Sequence, residues 1–589
     1  MKFAELVKYF EKIEATSLRN AKTTILAELF KELDKDEIAA ATYLAVGRLG
    51  PLYDSIEFNL AEKMIIRAVA WGVGRGVEEV AQLMKDKGDL GEVAEGIKKD
   101  SRFQIPDYSI NSVFEELVVI ARDSGKGSQQ RKVERLGKLL REVGPVSAKY
   151  IVRMVAGRLR LGFLDSTVLD ALSYLENGTK DGKKVLESAY QIAPDVGELS
   201  RLVKEMGIAG AIKNVKVKIG RPVIPALAQR LHTPDEMIEK MGKVQVEPKF
   251  DGTRVQIHFS RQILPSDDRQ QMVAGLFKEE KSEFWVKTYT RSLDESSQMF
   301  PELASMGEQI EAQEVILDAE AVGYDPTTGK MVPFQLTITR KRKHGVEAAQ
   351  SSVPLRFYVF DILYKDGQSL IELPLSKRRE ILEATIKAGN VLVMDEKIVT
   401  GDPRQLREYH KKQLEKGLEG ALVKKIDGKY ESGRKSFNWV KFKEEEGQTG
   451  KLLDTIDAVV MGYYTGKGKR QKFGIGAFLV GVVSGKKIVT VAKVGTGLSD
   501  LQFGELYDRL KKIETRSQML EYIVAKTLIP DVWVEPKVIV EIAADEITTS
   551  KLHSSGYGLR FPRLIKFRDD KKLTDITTLA EVKQIAGTI

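Results

Sequence analysis

The sequence predicts a multidomain protein: an all-α part at residues 1–215, an α+β part at residues 216–447 and a β-barrel at residues 448–589. Three observations support this division. The 589 residues exceed the roughly 100 to 200 that one domain usually holds. The spacing of apolar residues changes from helical to alternating near residue 216, and glycine-rich turns separate the short apolar runs near the C-terminus.

The first part shows helical spacing from its first segment, where the apolar residues are Phe3, Leu6, Val7, Phe10 and Ile13. These positions fall on one face of a helix, so that face is predicted to be buried.

A later helix is predicted to begin at Pro145, since proline fits the first helical turn. Its apolar stripe includes Tyr150 and Met154. Three basic residues lie off this stripe: Lys149, Arg153 and Arg158. Such residues commonly form a solvated face, and in a basic protein they could instead contact phosphates.

The second part begins after the segment GRPVIPALAQRL, residues 220–231, whose prolines and glycine interrupt the helical period. Strand-like runs follow, among them VQVEPKF, TRVQIHF, FWVKTYT, EVILDAEAV and LRFYVFDIL. The helical stretch SKRREILEATIKAG lies between such runs, so the sequence predicts an α+β domain.

The third part follows KEEEGQTGKLLD, residues 443–454. Its runs DAVVMGYY, GAFLVGVV, KIVTVAKV and VIVEIA are short and alternate with glycine-rich turns, which is the rhythm of a small barrel.

Composition limits the chemistry. The chain has no cysteine, which excludes disulfides, a thiol nucleophile and Cys-ligated zinc. The formal charge of +9 is compatible with a polyanionic partner. With no secretory signal and no apolar stretch of membrane-spanning length, a soluble cytoplasmic protein without membrane contact is expected.

The segment Glu247-Pro-Lys249-Phe-Asp251-Gly252-Thr-Arg254 carries the strongest chemical signal. Read alone, Asp251-Gly252 predicts a hairpin turn and Lys249 an exposed lysine. Four downstream segments favour a nucleotide site around Lys249 instead. They contain Asp318 and Glu320 in LDAEAV, Phe360 in FYVFDIL, Glu419, Lys424 and Lys425 in LEGALVKK, and Lys441 and Lys443 in WVKFK.

Geometry explains part of this pattern. Alternate residues of a strand share a face, so Asp318 and Glu320 are predicted to lie together. The same rule puts Lys441 and Lys443 on one face, where the two cations repel unless an anion such as a triphosphate lies between them. Phe360 could stack on a base or sit in the core.

Together these segments resemble the motifs of the covalent nucleotidyltransferase superfamily. KFDGTR is similar to its K-x-D-G-x-R signature, and LDAE, FYVFD, EGALVK and WVKFK follow in the family's order. LRFPR and KFRDDK near the C-terminus, and PVSAKYIVRMVAGRLRLG near the N-terminus, resemble the ATP-dependent DNA ligases of archaea and eukaryotes. The cysteine-free chain cannot build the zinc finger of NAD-dependent DNA ligases.

The resemblance implies an all-α DNA-binding domain, an adenylylation domain and a C-terminal OB-fold. It implies sealing of nicked double-stranded DNA in replication, repair and recombination, through AMP on Lys249. ATP and Mg²⁺ are the implied cofactors, with Mn²⁺ as an alternative ion. A nucleoid-associated monomer is expected. A sliding clamp is a further implied partner, although the sequence shows no clamp-binding peptide with paired aromatics.

The resemblance also assigns roles. Glu247 and Phe360 would bind adenine, and Glu320 and Glu419 a metal ion, with ribose hydroxyls as the alternative for Glu320. The residues implied to hold phosphates are Arg254, Arg291, Lys441 and Lys443. Either Arg434 or Lys435 would contact the nucleotide, because Lys435 stands where the family usually has arginine. In the OB-fold motif, Arg568, Asp570 and Lys571 would orient pyrophosphate.

Two other classes stay open on sequence grounds. One is an RNA ligase or an mRNA capping guanylyltransferase, which would share the central motifs. The other is a DNA-end-binding protein that has kept the fold without activity, since a fold does not establish a function.

Overall fold

The computed structural model describes residues 1–99, 108–262, 284–332, 353–433, 436–443, 455–466, 470, 473–544 and 546–587. They divide into two compact units, Met1–Phe442 and Lys443–Ile589. Within the described residues, no helix combines the length and apolar character needed to cross a membrane.

The N-terminal part of the first unit is helical and shares one large apolar core. Its helices are α1 (Phe3–Glu14), α2 (Arg19–Glu32), α3 (Ile38–Ala45), α4 (Glu62–Val73), α5 (Val77–Lys87), α6 (Leu90–Lys99), α7 (Ile110–Arg122), α8 (Ser128–Glu142), α9 (Pro145–Val155), α10 (Asp165–Asn177), α11 (Lys183–Ile192) and α12 (Val196–Asn214). All five apolar residues singled out on α1 are buried, which confirms the helical period. Pro145 occupies the first turn of α9, as predicted.

The rest of the first unit contains two sheets. Its strands are β1 (Gln229–Arg230), β2 (Val244–Pro248), β3 (Thr253–Ser260), β4 (Trp285–Thr290), β5 (Glu314–Gly323), β6 (Leu355–Lys365), β7 (Gln368–Ser369), β8 (Leu392–Met394), β9 (Ile398–Thr400), β10 (Gly420–Lys425) and β11 (Trp439–Lys443). Its helices are α13 (Pro234–Met241), α14 (Leu375–Glu383) and α15 (Pro403–Glu415). The first sheet has the order β1-β11-β10-β2-β9, and the second has the order β4-β3-β5-β6-β7 with β8 beside β6.

Each sheet buries one face under its own apolar cluster, and the opposite faces share a third cluster. In the first sheet Val246 and Val423 pack with α13 and α15. In the second sheet Val255 and Leu317 belong to a separate core. The cluster between the sheets combines Trp439 of β11 with residues of β5 and β6. Side chains alternate along a strand, so successive residues of β2, β3, β5 and β10 lie on opposite faces of their sheet.

The hairpin that Asp251-Gly252 would predict does not form, because β2 and β3 belong to different sheets. The chain passes from one sheet to the other at Gly252. A Cβ atom there would lie 2.5 Å from the carbonyl oxygen of Ala321 and 2.9 Å from Cγ of Glu320. Glycine therefore allows the backbone of this connection to approach β5 closely.

The second unit is rich in strands, as its sequence predicts. They are β12 (Ile456–Thr465), β13 (Ile475–Ser484), β14 (Lys487–Val494), β15 (Glu514–Thr515), β16 (Tyr522–Ile523), β17 (Val532–Val534), β18 (Ile539–Ala543), β19 (Glu546–Thr549), β20 (Tyr557–Arg560) and β21 (Arg563–Phe567). Eight of them form one sheet, with β12 at its centre, and β19 pairs with β20. Helices α16 (Asp500–Lys511) and α17 (Leu579–Gly587) contribute to its main core.

Candidate active site

Lys249 and Glu419 meet where β2 ends and β10 begins. The strands are antiparallel, with Pro248 opposite Ala421, so the residues just outside them face each other. The Lys249 N–H donates to the carbonyl oxygen of Gly420 at 3.0 Å, and the Glu419 N–H donates to that of Lys249 at 3.2 Å. The Lys249 Nζ atom contacts Glu419 Oε2 in an ion pair.

Gly420 follows Glu419 at the start of β10. Its φ of 123° is unfavourable for other residues, and a Cβ atom would lie 2.4 Å from the carbonyl oxygen of Phe442. The backbone of β10 can therefore approach β11 closely at the residue that follows Glu419. The side chains of Lys249 and Glu419 remain 24% and 20% exposed, so a ligand has access to the pair.

The partly buried Arg254 and the buried Asp318 form a bidentate ion pair between β3 and β5. Arg254 Nε donates to Asp318 Oδ1 at 2.9 Å, and Nη2 donates to Oδ2 at 2.5 Å. The Tyr430 hydroxyl also donates to Asp318 Oδ2, at 2.6 Å. The remaining guanidinium nitrogen donates to the carbonyl oxygen of Ala226. Arg254 thus has protein partners for all its nitrogens, which favours a role in holding the site together.

Glu320 lies two residues after Asp318 on β5, and it is directly opposite Arg254 where β5 pairs with β3. Burial raises the pKa of Glu320 to about 7. The positive charges of Lys249 and Arg254 oppose this shift, and the negative charges of Asp318 and Glu419 add to it. Glu320 therefore lies close enough to Glu419 and Lys249 to feel the charge of both.

Two aromatic side chains lie between the sheets beside these charges. Phe360 of β6 and Trp439 of β11 meet edge to face, with ring centroids 5.8 Å apart. The Arg254 guanidinium carbon lies 5.4 Å and 5.2 Å from the two ring centroids, within cation–π range. Phe360 is 7% exposed and belongs to the core between the sheets, which was one of the two environments predicted for it.

Glu247 is buried on β2, and Lys424 of β10 forms an ion pair with it at 2.5 Å. The sequence pattern alone predicts no separate role for Lys424. The alternation of side chains along β10 could have indicated the burial of Lys424. Leu422 and Lys424 alternate with the buried Ala421 and Val423, so both faces of the strand lie in the interior.

The cations implied to hold phosphates differ in position. Arg291 is exposed just after β4. Lys441 is partly buried on β11, opposite Arg230 of β1 in a parallel register. Lys443 ends β11, and its side chain lies outside the described residues, as do Arg434 and Lys435.

The motif near the C-terminus lies in the second unit, just after β21. Arg568 donates to Asp570 through Nε at 2.9 Å and through Nη2 at 2.7 Å. Its Nη1 donates to Asp457 of β12 at 2.9 Å, and Lys571 also contacts Asp457. Asp457 therefore holds both cations of the motif, a contact that the sequence reading did not predict.

The three basic residues of α9 and the turn after it have different environments. Arg153 is 2% exposed and pairs with Glu14 and Asp89, at 2.8 Å each. Lys149 is 13% exposed and pairs with Glu14 at 3.2 Å. These contacts favour a structural role for both residues. Arg158 is exposed and lines a cleft of about 220 Å³ together with Arg160.

The carboxylates fit a hard divalent ion. Among the described residues, no group of three or more histidine, aspartate or glutamate side chains is arranged as a metal cage. Magnesium does not need one, since it is commonly held by one or two carboxylates, phosphate oxygens and water. Glu320 and Glu419 are two carboxylates beside Lys249.

Three family models match the chain. "DNA ligase N terminus" matches residues 2–173, "ATP dependent DNA ligase domain" matches residues 277–443, and "ATP dependent DNA ligase C terminal region" matches residues 471–571. These matches give the three-part architecture of such enzymes.

Curated relatives match along almost the whole length. The "Probable DNA ligase" of Dictyoglomus turgidum is 39% identical, over 99% of this chain and 97% of that protein. "DNA ligase 2" of Thermofilum pendens is 36% identical, over 98% of this chain and 96% of that protein. The solved structure named "Pmar-Lig_Pre." is 15% identical, covers 96% of this chain and 99% of that chain, and has a TM-score of 0.54, so it shows a similar fold.

Proposed function

Because the chain belongs to the family of ATP-dependent DNA ligases, we propose that it seals nicks in duplex DNA through AMP carried on Lys249. The observation that supports this most directly is the position of Lys249. Its Nζ atom contacts Glu419 and interacts with the charge of Glu320. Family membership also favours a DNA ligase over an RNA ligase, a capping enzyme or an inactive DNA-binding protein.

In the first step, the lone pair of Lys249 Nζ attacks the α-phosphorus of ATP. A P–N bond forms, and the bond from the α-phosphorus to the pyrophosphate oxygen breaks. A lysine of ordinary pKa, near 10.4, is protonated at neutral pH and has no lone pair to offer. Glu419 Oε2 already contacts Nζ, so we assign to it the removal of the proton.

In the second step, an oxygen of the DNA 5′-phosphate attacks the phosphorus of the AMP, and the P–N bond to Lys249 breaks. In the third, the DNA 3′-hydroxyl attacks the 5′-phosphorus, a phosphodiester forms and AMP leaves. Both steps are displacements at phosphorus, in which alignment and neutralisation of charge supply most of the catalysis.

Glu320 and Glu419 would hold Mg²⁺, with Mn²⁺ as an alternative. The ion would neutralise phosphate oxygens and make the α-phosphorus more electrophilic. With the ion bound, Glu320 would be kept ionised although burial favours its proton.

The other side chains of the site have distinct proposed tasks. Glu247 would accept a hydrogen bond from adenine, and Phe360 would supply an apolar surface beside the base. Arg291, Lys441 and Lys443 would bind phosphates, and Arg434 or Lys435 would contact the nucleotide. We assign Arg254 to fixing Asp318 and the aromatic pair, since protein groups already occupy its nitrogens.

The domain assignments extend the proposal. Residues 1–215 would form the DNA-binding domain, with Arg158 on its surface, residues 216–447 the adenylylation domain and residues 448–589 an OB-fold. Arg568, Asp570 and Lys571 would orient pyrophosphate in the first step. Roles in replication, repair and recombination, a monomeric state and a sliding-clamp partner stay predictions.

Sealing of a nicked duplex tests this function. The full chain should join a labelled 5′-phosphate to an adjacent 3′-hydroxyl with ATP and Mg²⁺, and Lys249→Ala should not. Sealing by Lys249→Ala with ATP at the wild-type rate would overturn the assignment of the nucleophile.

A further inference from the structure

Lys424 has an unusual environment for a lysine. Its side chain is fully buried on β10, between the two sheets of the first unit. Lysine is rarely fully buried unless a partner balances its charge, because removing an ammonium ion from water is costly. The residues that contact Lys424 therefore indicate the role of this buried charge.

Those partners are residues assigned above to the nucleotide site. The Lys424 Nζ atom lies 2.5 Å from Glu247 Oε2 and donates a hydrogen bond to the carbonyl oxygen of Phe360 at 3.2 Å. It also lies 4.6 Å from the ring centroid of Phe360 and 4.4 Å from that of Trp439. The faces of aromatic rings attract cations, so both rings help to hold the ammonium group in place.

The two oxygens of Glu247 are used differently. Oε1 accepts a hydrogen bond from Gln245 Nε2. Oε2 is buried and faces the Lys424 ammonium group at 2.5 Å, and no second donor contacts it among the described residues. A carboxylate oxygen can accept more than one hydrogen bond, so an N–H of a ligand can use the remaining capacity.

We propose that Lys424 is a positioning residue that holds Glu247 Oε2 in place as a hydrogen-bond acceptor, and that it thereby selects 6-aminopurine nucleotides over 6-oxopurine nucleotides. This inference rests on the proposed function, in which Glu247 faces the purine. An ionised carboxylate only accepts hydrogen bonds. It can therefore bind the 6-amino group of adenine, whereas the 6-carbonyl of hypoxanthine or guanine places an acceptor against an acceptor.

Removal of the lysine charge should weaken this preference. Without the ion pair, Glu247 loses the contact that holds its Oε2 atom in position. An acceptor that is no longer held in place discriminates less between a 6-amino group and a 6-carbonyl. The nucleotide itself need not contact Lys424 for this effect.

A different result is expected if Lys424 has only a structural role. Loss of the ion pair would then lower the stability of the sheets and slow the reaction with every nucleotide by the same factor. The ratio of the rate constants for two nucleotides separates the two explanations.

The experiment compares the full-length chain with Lys424→Met. Each is first stripped of bound AMP with pyrophosphate and is then incubated with Mg²⁺ and either ATP or inosine 5′-triphosphate, labelled at the α-phosphate. Inosine 5′-triphosphate carries a 6-carbonyl in place of the 6-amino group. The second-order rate constant for covalent labelling should favour ATP in the wild type, and this preference should fall at least about 10-fold in Lys424→Met, as expected when a charged hydrogen bond is lost.

Lys132→Met is the matched control. Lys132 is also a buried lysine, 3% exposed, but its Nζ donates to the carbonyl oxygens of Phe58 and Ala121 in the helical part. Its replacement should leave the ATP preference at the wild-type value. Lys424→Gln removes the charge but keeps a hydrogen-bond donor, and it takes the place of Lys424→Met if that variant does not fold.

Glu247→Gln completes a double-mutant cycle. If Lys424 acts through Glu247, adding Lys424→Met to Glu247→Gln should not change the nucleotide preference further. If the nucleotide preference is unchanged in both Lys424→Met and Lys424→Gln, the inference about Lys424 is overturned. The proposed function still stands in that case, provided that the wild type is labelled by ATP. A wild-type chain that takes no label from ATP would instead overturn the proposed function.

Discussion

Glu419 Oε2 contacts the Nζ atom of Lys249, although 170 positions separate the two residues in the chain. The antiparallel pairing of β2 with β10 brings them together, and Gly420, next to Glu419, lets the backbone of β10 approach β11. This contact places a proton acceptor on the proposed nucleophile.

Glu419→Gln should slow self-adenylylation by at least about 100-fold, because an amide cannot take the lysine proton or bind a metal ion as a carboxylate does. The measurement is the rate of covalent labelling by ATP. Glu415→Gln, an exposed carboxylate on α15, is the control and should react at the wild-type rate. A wild-type rate for Glu419→Gln would remove this residue from the mechanism.

Asp318→Asn should destabilise the first unit by about 2–3 kcal/mol, because it leaves the largely buried Arg254 guanidinium without its carboxylate partner. Chemical denaturation of the full chain measures the effect. Asp235→Asn removes an exposed partner of Arg407 and should leave the unfolding transition unchanged. If both variants unfold alike, the buried pair does not support the site.

Asp457→Asn should slow self-adenylylation roughly 10-fold, because Arg568 and Lys571 lose a charged partner that orients them. Sealing of a nick that already carries a 5′-adenylate should change much less. Asp508→Asn, an exposed carboxylate on α16, serves as the control. Equal losses in the two assays would show that the motif is not specific to the first step.

Arg568→Ala tests the same motif directly and should also impair self-adenylylation more than the final sealing step. The measurement is the ratio of the two rate constants in the variant against that in the wild type. No change in this ratio would contradict the proposed role in orienting pyrophosphate.

Acid should destabilise the first unit through His258. Burial lowers the pKa of this histidine to about 3, and the charge of Lys287 adds to the shift. The unfolded chain binds the proton near pH 6.5, so the free energy of unfolding falls as the pH drops below that value. The expected contribution is a loss of about 2 kcal/mol between about pH 7.5 and about pH 5.

His258→Gln has no titrating ring, and its stability should depend less on pH over the same range. The check is the difference between the denaturation midpoints of wild type and variant at the two pH values. A difference that does not change with pH would show that His258 is not the group responsible.

Local periodicity was sufficient to predict much of the fold. The helical spacing of α1 and the strands that carry Asp318 and Phe360 are confirmed, since burial of one face produces these patterns wherever the element packs. Lys249 stood out because its segment resembles a known signature. The exchange of sheets at Gly252 was not predictable, because a turn dipeptide does not say which strands pair.

Contacts between residues that are far apart in the sequence were also not predictable from it. The basic face of α9 gives no indication that Arg153 is buried, because its partners Glu14 and Asp89 come from other parts of the chain. The burial of Lys424 was not predictable for the same reason, because it depends on Glu247 of the neighbouring strand β2. Charged residues can be placed in the interior only when their partners are known.

The transfer of label from ATP carrying a labelled α-phosphate to the denatured chain tests the central claim most directly. The protein is first stripped of bound AMP with pyrophosphate, then incubated with Mg²⁺ and ATP beside Lys249→Ala. The account predicts covalent label on the wild type alone, and its discharge when nicked duplex is added. Label on Lys249→Ala at the wild-type level, or no label on either protein, would contradict it.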